Sequence, residues 1–342
     1  MTERETTPFT VATINVNGIR AAVKVRHEGN QGMLPWLEST PADVVLMQEV
    51  RADEKQTQQA LQPALEAGWH LVQAPATAKG RAGVGILSKI PLEDVTIGFG
   101  HSNPEIPEAR EFDDSGRYIE ATLAGHDVRV ASLYLPSGSA NTAKQDEKYR
   151  FLDAFAEYLN NRAALVASEN KELVIGGDWN ICHRRADLKN WKTNRTKSGY
   201  LPDERAFLDH LLGTFPDEAT QVGDAEDSGR TGNPGGAAGD FFGAVEYTPG
   251  ETARRRLEAG AASDPHYFDV VRQLHPAEDG PYSWWTYRGQ AFDTDAGWRI
   301  DLQVATAGMC ERARRANNAW VDKAAAYDQR WSDHSPVVVE YS

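Results

Sequence analysis

The sequence predicts an α/β protein in which two packed sheets carry helices on their outer faces. Three observations carry that prediction. Short apolar runs recur along the chain, several with β-branched residues and several ending at Gly, Pro or Asn. Longer stretches with helical spacing of apolar residues lie between them. Some neighbouring runs are joined by hairpin-like turns, so the sheets are mixed and not purely parallel.

In chain order the expected strands are residues 11–14, 44–47, 84–87, 118–123, 128–135, 173–175, 300–304 and 337–339. Residues 117–123 alternate polar and apolar, as a half-exposed antiparallel strand does, and Ala124-Gly125-His126-Asp127 turns the chain into the next run. Helices are expected over 53–67, over 142–167 with Leu152, Phe155, Ala156 and Leu159 on one face, and over 203–212 with Phe207, Leu208, Leu211 and Leu212. Residues 223–243 are rich in Gly, acidic and poor in aliphatics, which reads as a flexible loop or linker. Residues 248–261 look helical, with Arg254, Arg255 and Arg256 together, and apolar patterning returns over 267–271. No short-period repeat interrupts this order.

The totals bound the function. A chain of 342 residues with 40% hydrophobic and 25% charged residues suits one large globular domain. The polar start, Met1 to Thr7, does not read as a signal peptide, so none is expected, and no apolar run approaches the roughly 20 residues of a membrane span. The two cysteines, Cys182 and Cys310, give neither a disulfide framework nor zinc spacing, so a reducing cytosol is expected. The net charge of −14 argues against a protein that coats polyanions. The segment 183–197 runs against that average, with Arg184, Arg185, Lys189, Lys192, Arg195 and Lys197 facing a single acid, Asp187. It is either a solvated loop or a strip that holds a phosphate backbone.

Polar side chains gather where the expected strands end: Asn15 and Asn17, Gln48 and Glu49, Tyr134, Asp178 and Asn180, Asp301, and Asp333 and His334. One acid at a strand end is ordinarily a turn former. Six such clusters are harder to assign to turns, and in a layered sheet fold strand ends on one edge can converge on one site. Glu49, Asp178, Asp301 and Asp333 are hard oxygen donors, and the asparagines add amide groups, a set that suits Mg²⁺ or Mn²⁺ better than Zn²⁺. There is no Gly-x-Ser-x-Gly elbow, Walker loop or dinucleotide fingerprint. A divalent ion, an acid/base pair and amide donors are what in-line attack of water on a phosphodiester requires.

These clusters resemble those of the exonuclease III type of apurinic/apyrimidinic endonuclease, within the wider endonuclease/exonuclease/phosphatase superfamily. Asn15-Val16-Asn17-Gly18-Ile19-Arg20, Gln48-Glu49, Gly177-Asp178-Trp179-Asn180, Gly297-Trp298-Arg299-Ile300-Asp301 and Ser332-Asp333-His334 follow the family's order, with "DLKNWK" and "SGYLPDER" between them. The resemblance runs from about residue 9 to 341, outside a stretch at about 214–266. It implies a four-layered α/β sandwich of the DNase I kind, formed by one domain over residues 1–342 with an atypical insertion at about 214–266. It also implies roles. Glu49, Asn17 and Asp333 would bind one or two metal ions. Asp178, aided by Asn180, would activate water, with His334, oriented by Asp301, as the rival base beside the phosphate. Tyr134 and Asn15 would contact the phosphate. Arg184, Arg185, Lys189, Trp191 and Lys192 would lie along the DNA backbone. Trp284, Trp298 and Ile300 would wall a pocket for a base-free sugar, a steric selection of a flipped nucleotide.

The expected activity is metal-dependent DNA phosphodiester hydrolysis in base-excision repair: incision 5′ to abasic sites, and removal of 3′-terminal nucleotides or blocking groups. The expected substrates are duplexes with abasic sites or recessed or blocked 3′ ends. The protein is expected to be a bacterial-type cytoplasmic monomer, nucleoid-associated when acting and without a membrane partner. Two other readings stand beside it: a superfamily phosphatase or phosphodiesterase acting on lipid or inositol phosphates, and a catalytically silent DNA-binding relative. Two departures bear on the resemblance. Ser137 stands where relatives carry Asn or Gln, and the 214–266 stretch is either a spacer or an element that meets DNA or a partner.

Overall fold

The computed structural model describes residues 7–100, 107–214 and 241–342. Two six-stranded sheets form its centre. The first orders β11 (Ala319–Val321), β12 (Val337–Tyr341), β1 (Phe9–Asn15), β2 (Val44–Gln48), β4 (Val84–Ser88) and β3 (His70–Ala74). The second orders β5 (Leu92–Ile97), β6 (Tyr118–Leu123), β7 (Val128–Tyr134), β8 (Glu172–Asp178), β10 (Asp301–Thr306) and β9 (Tyr267–Asp269). Each sheet has one parallel pair, β1 with β2 and β7 with β8, and its other pairings are antiparallel.

Apolar side chains fill three interfaces, which makes four layers. Val11, Leu46, Ile86, Val130 and Val174 pack between the sheets. Leu152, Phe155, Leu159, Phe207 and Leu208 pack the helices Ala143–Ser168 and Pro202–Leu212 against the second sheet. Ile19, Met33 and Leu37 cover the first. Gly176 lets the two sheets close up, and Gly177 lets β8 lie close against β7 in its own sheet. A Cβ on Gly176 would stand 2.6 Å from Leu46 and 2.9 Å from Thr13 of the other sheet, and one on Gly177 would run into the Leu133 carbonyl of the neighbouring strand. Polar pins join the sheets near the same end: Gln48 Nε2 donates to Ser132 Oγ at 2.9 Å, and Ser132 Oγ to the Met47 carbonyl at 2.8 Å.

Several elements differ from expectation. The helix expected over 53–67 is two, Glu54–Ala60 and Gln62–Glu66, because Pro63 lacks an N–H and its ring crowds the carbonyl four residues back. β6 pairs antiparallel as expected but is buried along its whole length. Its one acid, Glu120, lies inside with Arg129 and Arg162; burial alone would raise its carboxyl, and the two guanidinium groups hold it below its ordinary value. The helix expected over 248–261 is Glu251–Ala259, preceded by Pro249-Gly250 and ended by Gly260 at φ 68°.

The linker expected over 223–243 lies mostly outside the described residues. Its last part is not a linker. Phe241 is buried, its ring 5.4 Å from Tyr149 and 5.0 Å from Tyr247. Asp146 accepts from the backbone N–H groups of Val245 and Glu246 at 2.8 and 3.0 Å. This second part of the 214–266 stretch therefore packs on the long helix.

Candidate active site

Topology brings the expected residues to one edge. The parallel pairs β1/β2 and β7/β8 end on the same side, and β10 begins there because Asp301 lies opposite Asp178 in the antiparallel register. Tyr134 is likewise level with Asp178. β12 runs antiparallel to β1, so the segment before it, with Asp333 and His334, returns to the same place.

The side chains form one connected network. Asn15 Nδ2 donates to both Glu49 Oε1 and Asp178 Oδ2, each at 2.9 Å, and so ties the first sheet to the second. Asn15 Oδ1 accepts from the Asn17 N–H at 3.0 Å, and Asn17 Nδ2 donates to Asp333 Oδ1 at 2.8 Å. The His334 ring places Nδ1 2.8 Å from Asp301 Oδ2 and Nε2 3.9 Å from Asp178 Oδ2. The Asn180 N–H donates to Asp178 Oδ1 at 3.0 Å, and its side-chain amide donates to the Leu135 carbonyl at 2.8 Å. Asn17, Glu49, Arg51 and Asn180 all have φ between 48° and 52°. Asparagine tolerates that region; a glutamate or arginine there stores strain, a feature that clusters at functional sites.

Burial and charge set the protonation states. Burial pushes the Asp178 carboxyl up to about 7, with Asp301 and Glu49 adding to the rise and His334 and Asn15 opposing it. Burial alone would depress His334; Asp301, Asp178 and Asp333 overcome it and push the imidazole up to about 10. The Tyr134 phenol is raised well above its ordinary value by burial first and then by Glu49 and Asp178, so at neutral pH it is a donor.

Two groupings bear on a metal ion. Asp178, Asp301 and His334 bring one ligand atom each within 4.8 Å of one another. That set suits a cation poorly while His334 holds its protons and Asp301 Oδ2 is taken by His334 and by Ser283 Oγ at 2.6 Å. Glu49, Asn17 and Asp333 offer oxygen only, the donor set of a hard divalent ion. Glu49 is at present paired with Arg51.

The basic strip is only partly as expected. Lys189 and Lys192 are exposed, and Trp191 is half-buried with Arg185 stacked 4.3 Å and Lys192 5.5 Å from its ring. Arg184 is not on that surface. It is 3% exposed, turned inward where its backbone N–H donates to Asp187 Oδ2 at 2.8 Å. Asp187 is fully buried too, which removes the strip's one acid from the surface.

Trp284 and Trp298 meet edge to face with centroids 5.9 Å apart, and Trp284 Nε1 donates to Asp333 Oδ2 at 3.0 Å. Ile300 is buried beneath them with Cys182, Leu188 and Tyr200, so it floors the pair and is not a free wall. Ser137 is exposed, and its carbonyl accepts from Ser198 Oγ at 2.7 Å.

Three neighbours, Ser283, Arg51 and Arg117, were not singled out from the sequence, and a fourth, Ser332, entered only within its motif. Ser283 holds Asp301, and Ser332 Oγ donates to the Asn15 carbonyl at 2.6 Å. Arg51 pairs with Glu49, and Arg117 lies 5.2 Å from the Tyr134 ring. Arg51 and Arg117 share with Glu49, Tyr134, Arg81 and Lys144 a cavity of about 520 Å³ beside the site. Ser283 had one available signal, its place in the "PYSWW" run between expected pocket residues. A second cavity, of about 530 Å³, lies away from these strand ends, between the long helix and Glu251–Ala259.

Fold and site together define a DNase I-like sandwich: two mixed sheets whose parallel pairs end at a cluster of acids, amides and one imidazole. The profile of the Endonuclease/Exonuclease/phosphatase family matches residues 12–334, and the chain belongs to that family. It is 27% identical over 323 residues to an exodeoxyribonuclease of Bacillus subtilis (strain 168), covering 94% of this chain and 95% of that one. It is 26% identical over 333 residues to the DNA repair nuclease APEX1 of Danio rerio, covering 96% of this chain and 81% of the relative. Among solved structures, a 3′ phosphatase from Neisseria bound to a product DNA hairpin superposes with a TM-score of 0.66 at 24% identity, covering 98% of this chain and 99% of that one. An AP endonuclease from Archaeoglobus fulgidus superposes with a TM-score of 0.62 at 24% identity, over the same shares of the two chains. No helix among the described residues is long and apolar enough to cross a membrane.

Proposed function

We propose that this chain is a metal-dependent DNA phosphodiesterase of base-excision repair, acting on duplexes at abasic sites and at recessed or blocked 3′ ends. The observation that carries the reading is the pairing of Asp178 with His334 on opposed strand ends. One group can take a proton near neutral pH while the other keeps its own. That division favours Asp178 as the group that draws the proton from water. His334, fixed by Asp301, donates to a phosphate oxygen. Asn15 and the Tyr134 phenol add donors around the same phosphate, and Asn180 steadies Asp178 through its backbone N–H.

Glu49, Asn17 and Asp333 would hold Mg²⁺, or Mn²⁺ in its place, as one ion or one of two. When bound, the cation stabilises charge gathering on the phosphate. Lys189, Lys192, Arg185 and Trp191 face the duplex backbone, contacts that position DNA without reading its sequence. Trp284 and Trp298 admit a sugar without a base. Both relatives carry names of DNA enzymes, which favours DNA over a lipid or inositol phosphate. The reading takes residues 1–342 as one domain with an insertion at about 214–266, working as a cytoplasmic monomer.

The test is a side-by-side assay with Mg²⁺ on an abasic duplex, an intact duplex with a recessed 3′ end and a 3′-phosphate nick, with an inositol phosphate as the competing substrate. Incision of the DNA and none of the inositol phosphate is expected. Glu49→Gln should lower metal affinity and rate together, with partial recovery at high Mg²⁺, because a charged hard ligand becomes neutral. Equal activity in EDTA and in Mg²⁺ would remove the metal from the mechanism.

A further inference from the structure

Four charged side chains lie buried next to the site without entering the chemistry above. Asp187, Arg272, Arg299 and Asp269 are each at most 2% exposed. Arg299 Nε donates to Asp187 Oδ1 at 2.6 Å, and Arg299 Nη2 donates to Asp269 Oδ2 at 2.6 Å. Arg272 Nη2 pairs with the same Asp187 oxygen, Oδ1, and Arg272 donates to the carbonyls of His275 and Glu278 at 2.8 and 2.7 Å. Two acids and two guanidinium groups balance. Burial would raise Asp187, yet Arg299 and Arg272 hold it far below the carboxylate range.

What the four groups join is the point. Asp187 belongs to the turn that feeds the basic strip. Its carbonyl accepts the Arg299 N–H at 2.8 Å, and the Lys189 N–H donates to the Gly297 carbonyl at 3.2 Å. Leu188 thereby bridges to Trp298, and Trp298 to Trp284. Arg299 lies between Trp298 and Ile300 and two residues before Asp301. Arg272 also reaches the Gly280 carbonyl, at the head of the segment that carries Ser283 and Trp284. The network thus touches the backbone behind the strip, behind both tryptophans and behind Asp301.

We infer that Asp187, through Arg299 and Arg272, is a positioning residue that sets where the Trp284–Trp298 pair stands relative to the basic strip, and so sets substrate choice and not the chemical step. This rests on the DNA reading above. A buried ion pair adds little net stability over a packed apolar pair, but removing one partner leaves a charge uncompensated. Its use here is orientation, as for groups that hold the residues of a site in place from behind.

The test compares the unmodified chain, Asp187→Asn and Trp298→Ala. Asp187→Asn should shift the ratio of abasic to intact-duplex cleavage by about tenfold, the lower end of what a single pocket contact supplies, in the same direction as Trp298→Ala. A purely structural defect lowers both rates by the same factor and leaves the ratio alone. Amide hydrogen exchange should rise over 186–189 and 297–300 and stay unchanged over 172–178. If Asp187→Asn does not fold, the double variant Asp187→Leu/Arg272→Met removes one charge of each sign, leaves Arg299 paired with Asp269, and should show the same two changes. A ratio within twofold of the unmodified chain together with unchanged exchange overturns the inference. Failure of the unmodified chain to cut any duplex sinks the DNA reading instead, and the exchange result alone then decides the network.

Discussion

His334 lies between two carboxylates that treat it differently. Asp301 accepts from it at 2.8 Å and is itself held by Ser283, whereas Asp178 stands 3.9 Å from Nε2, which leaves room for a reacting group to take up that contact. Burial pushes the Asp178 carboxyl up to about 7, and the surrounding acids push the His334 imidazole up to about 10 against its burial. The rate should therefore climb with pH through about 7, as Asp178 loses its proton, and fall through about 10, as His334 loses its own. Both folded values lie above the unfolded ones, so the stability each contributes is present in acid and lost as pH rises through that value. Ionised Asp178 at pH 8 is then a cost to the fold borne for chemistry. Asp178→Asn should cut turnover by at least about 10²-fold and remove the acid limb of the profile. It should also raise the melting temperature at pH 8. An unchanged rate would move the base to His334, and an unchanged acid limb would mean that another group sets it.

At the scale of elements, the segment after residue 240 is the unexpected part of the architecture. Phe241 and Tyr247 insert beside Tyr149, and Arg256 pairs with Asp153 of the long helix at 2.6 Å. Phe241→Ala should destabilise the fold by about 3–5 kcal/mol, the usual range for emptying a buried aromatic site, while leaving the rate per folded molecule unchanged. A melting temperature equal to that of the unmodified chain would return this segment to the spacer reading. The sequence hid it because two adjacent phenylalanines, Phe241 and Phe242, at the end of a Gly-rich run have no periodicity to read. Edge strands were hidden for a related reason. β5 is exposed along most of its length and reads Leu-Glu-Asp-Val-Thr-Ile, and β11 is three residues long. The central strands and the strand-end clusters were legible, because a buried strand is a continuous apolar run and the groups at its end must be polar. Arg184 was misread as surface and Asp187 as a loop acid. The partners that draw Asp187 inward, Arg272 and Arg299, lie 85 and 112 residues away, a separation at which local pattern carries no information.

The whole molecule carries a net charge of −14 and yet must hold a polyanion under the proposed function. The fold resolves this by sorting charge. Asp187 goes inside against two arginines, while Lys189 and Lys192 remain exposed beside Trp191 at the end of the sheets that bears the site. Lys171, by contrast, precedes β8 and so sits at the opposite end of that strand from Asp178. If Lys189 and Lys192 each neutralise one phosphate, each accounts for about 0.9 of the slope of log affinity against log salt on duplex DNA. The double variant Lys189→Ala/Lys192→Ala should therefore flatten that slope by about 2 and weaken binding alike for abasic and intact duplexes, because phosphate contacts position without specifying. Lys171→Ala should leave the slope as it is. Binding is best measured in an Asp178→Asn background, where cleavage does not consume the duplex, across a salt series at fixed Mg²⁺. A slope unchanged in the double variant would place the DNA on another face. An equal flattening by Lys171→Ala would show that the salt dependence reflects the charge of the whole surface and not a local strip.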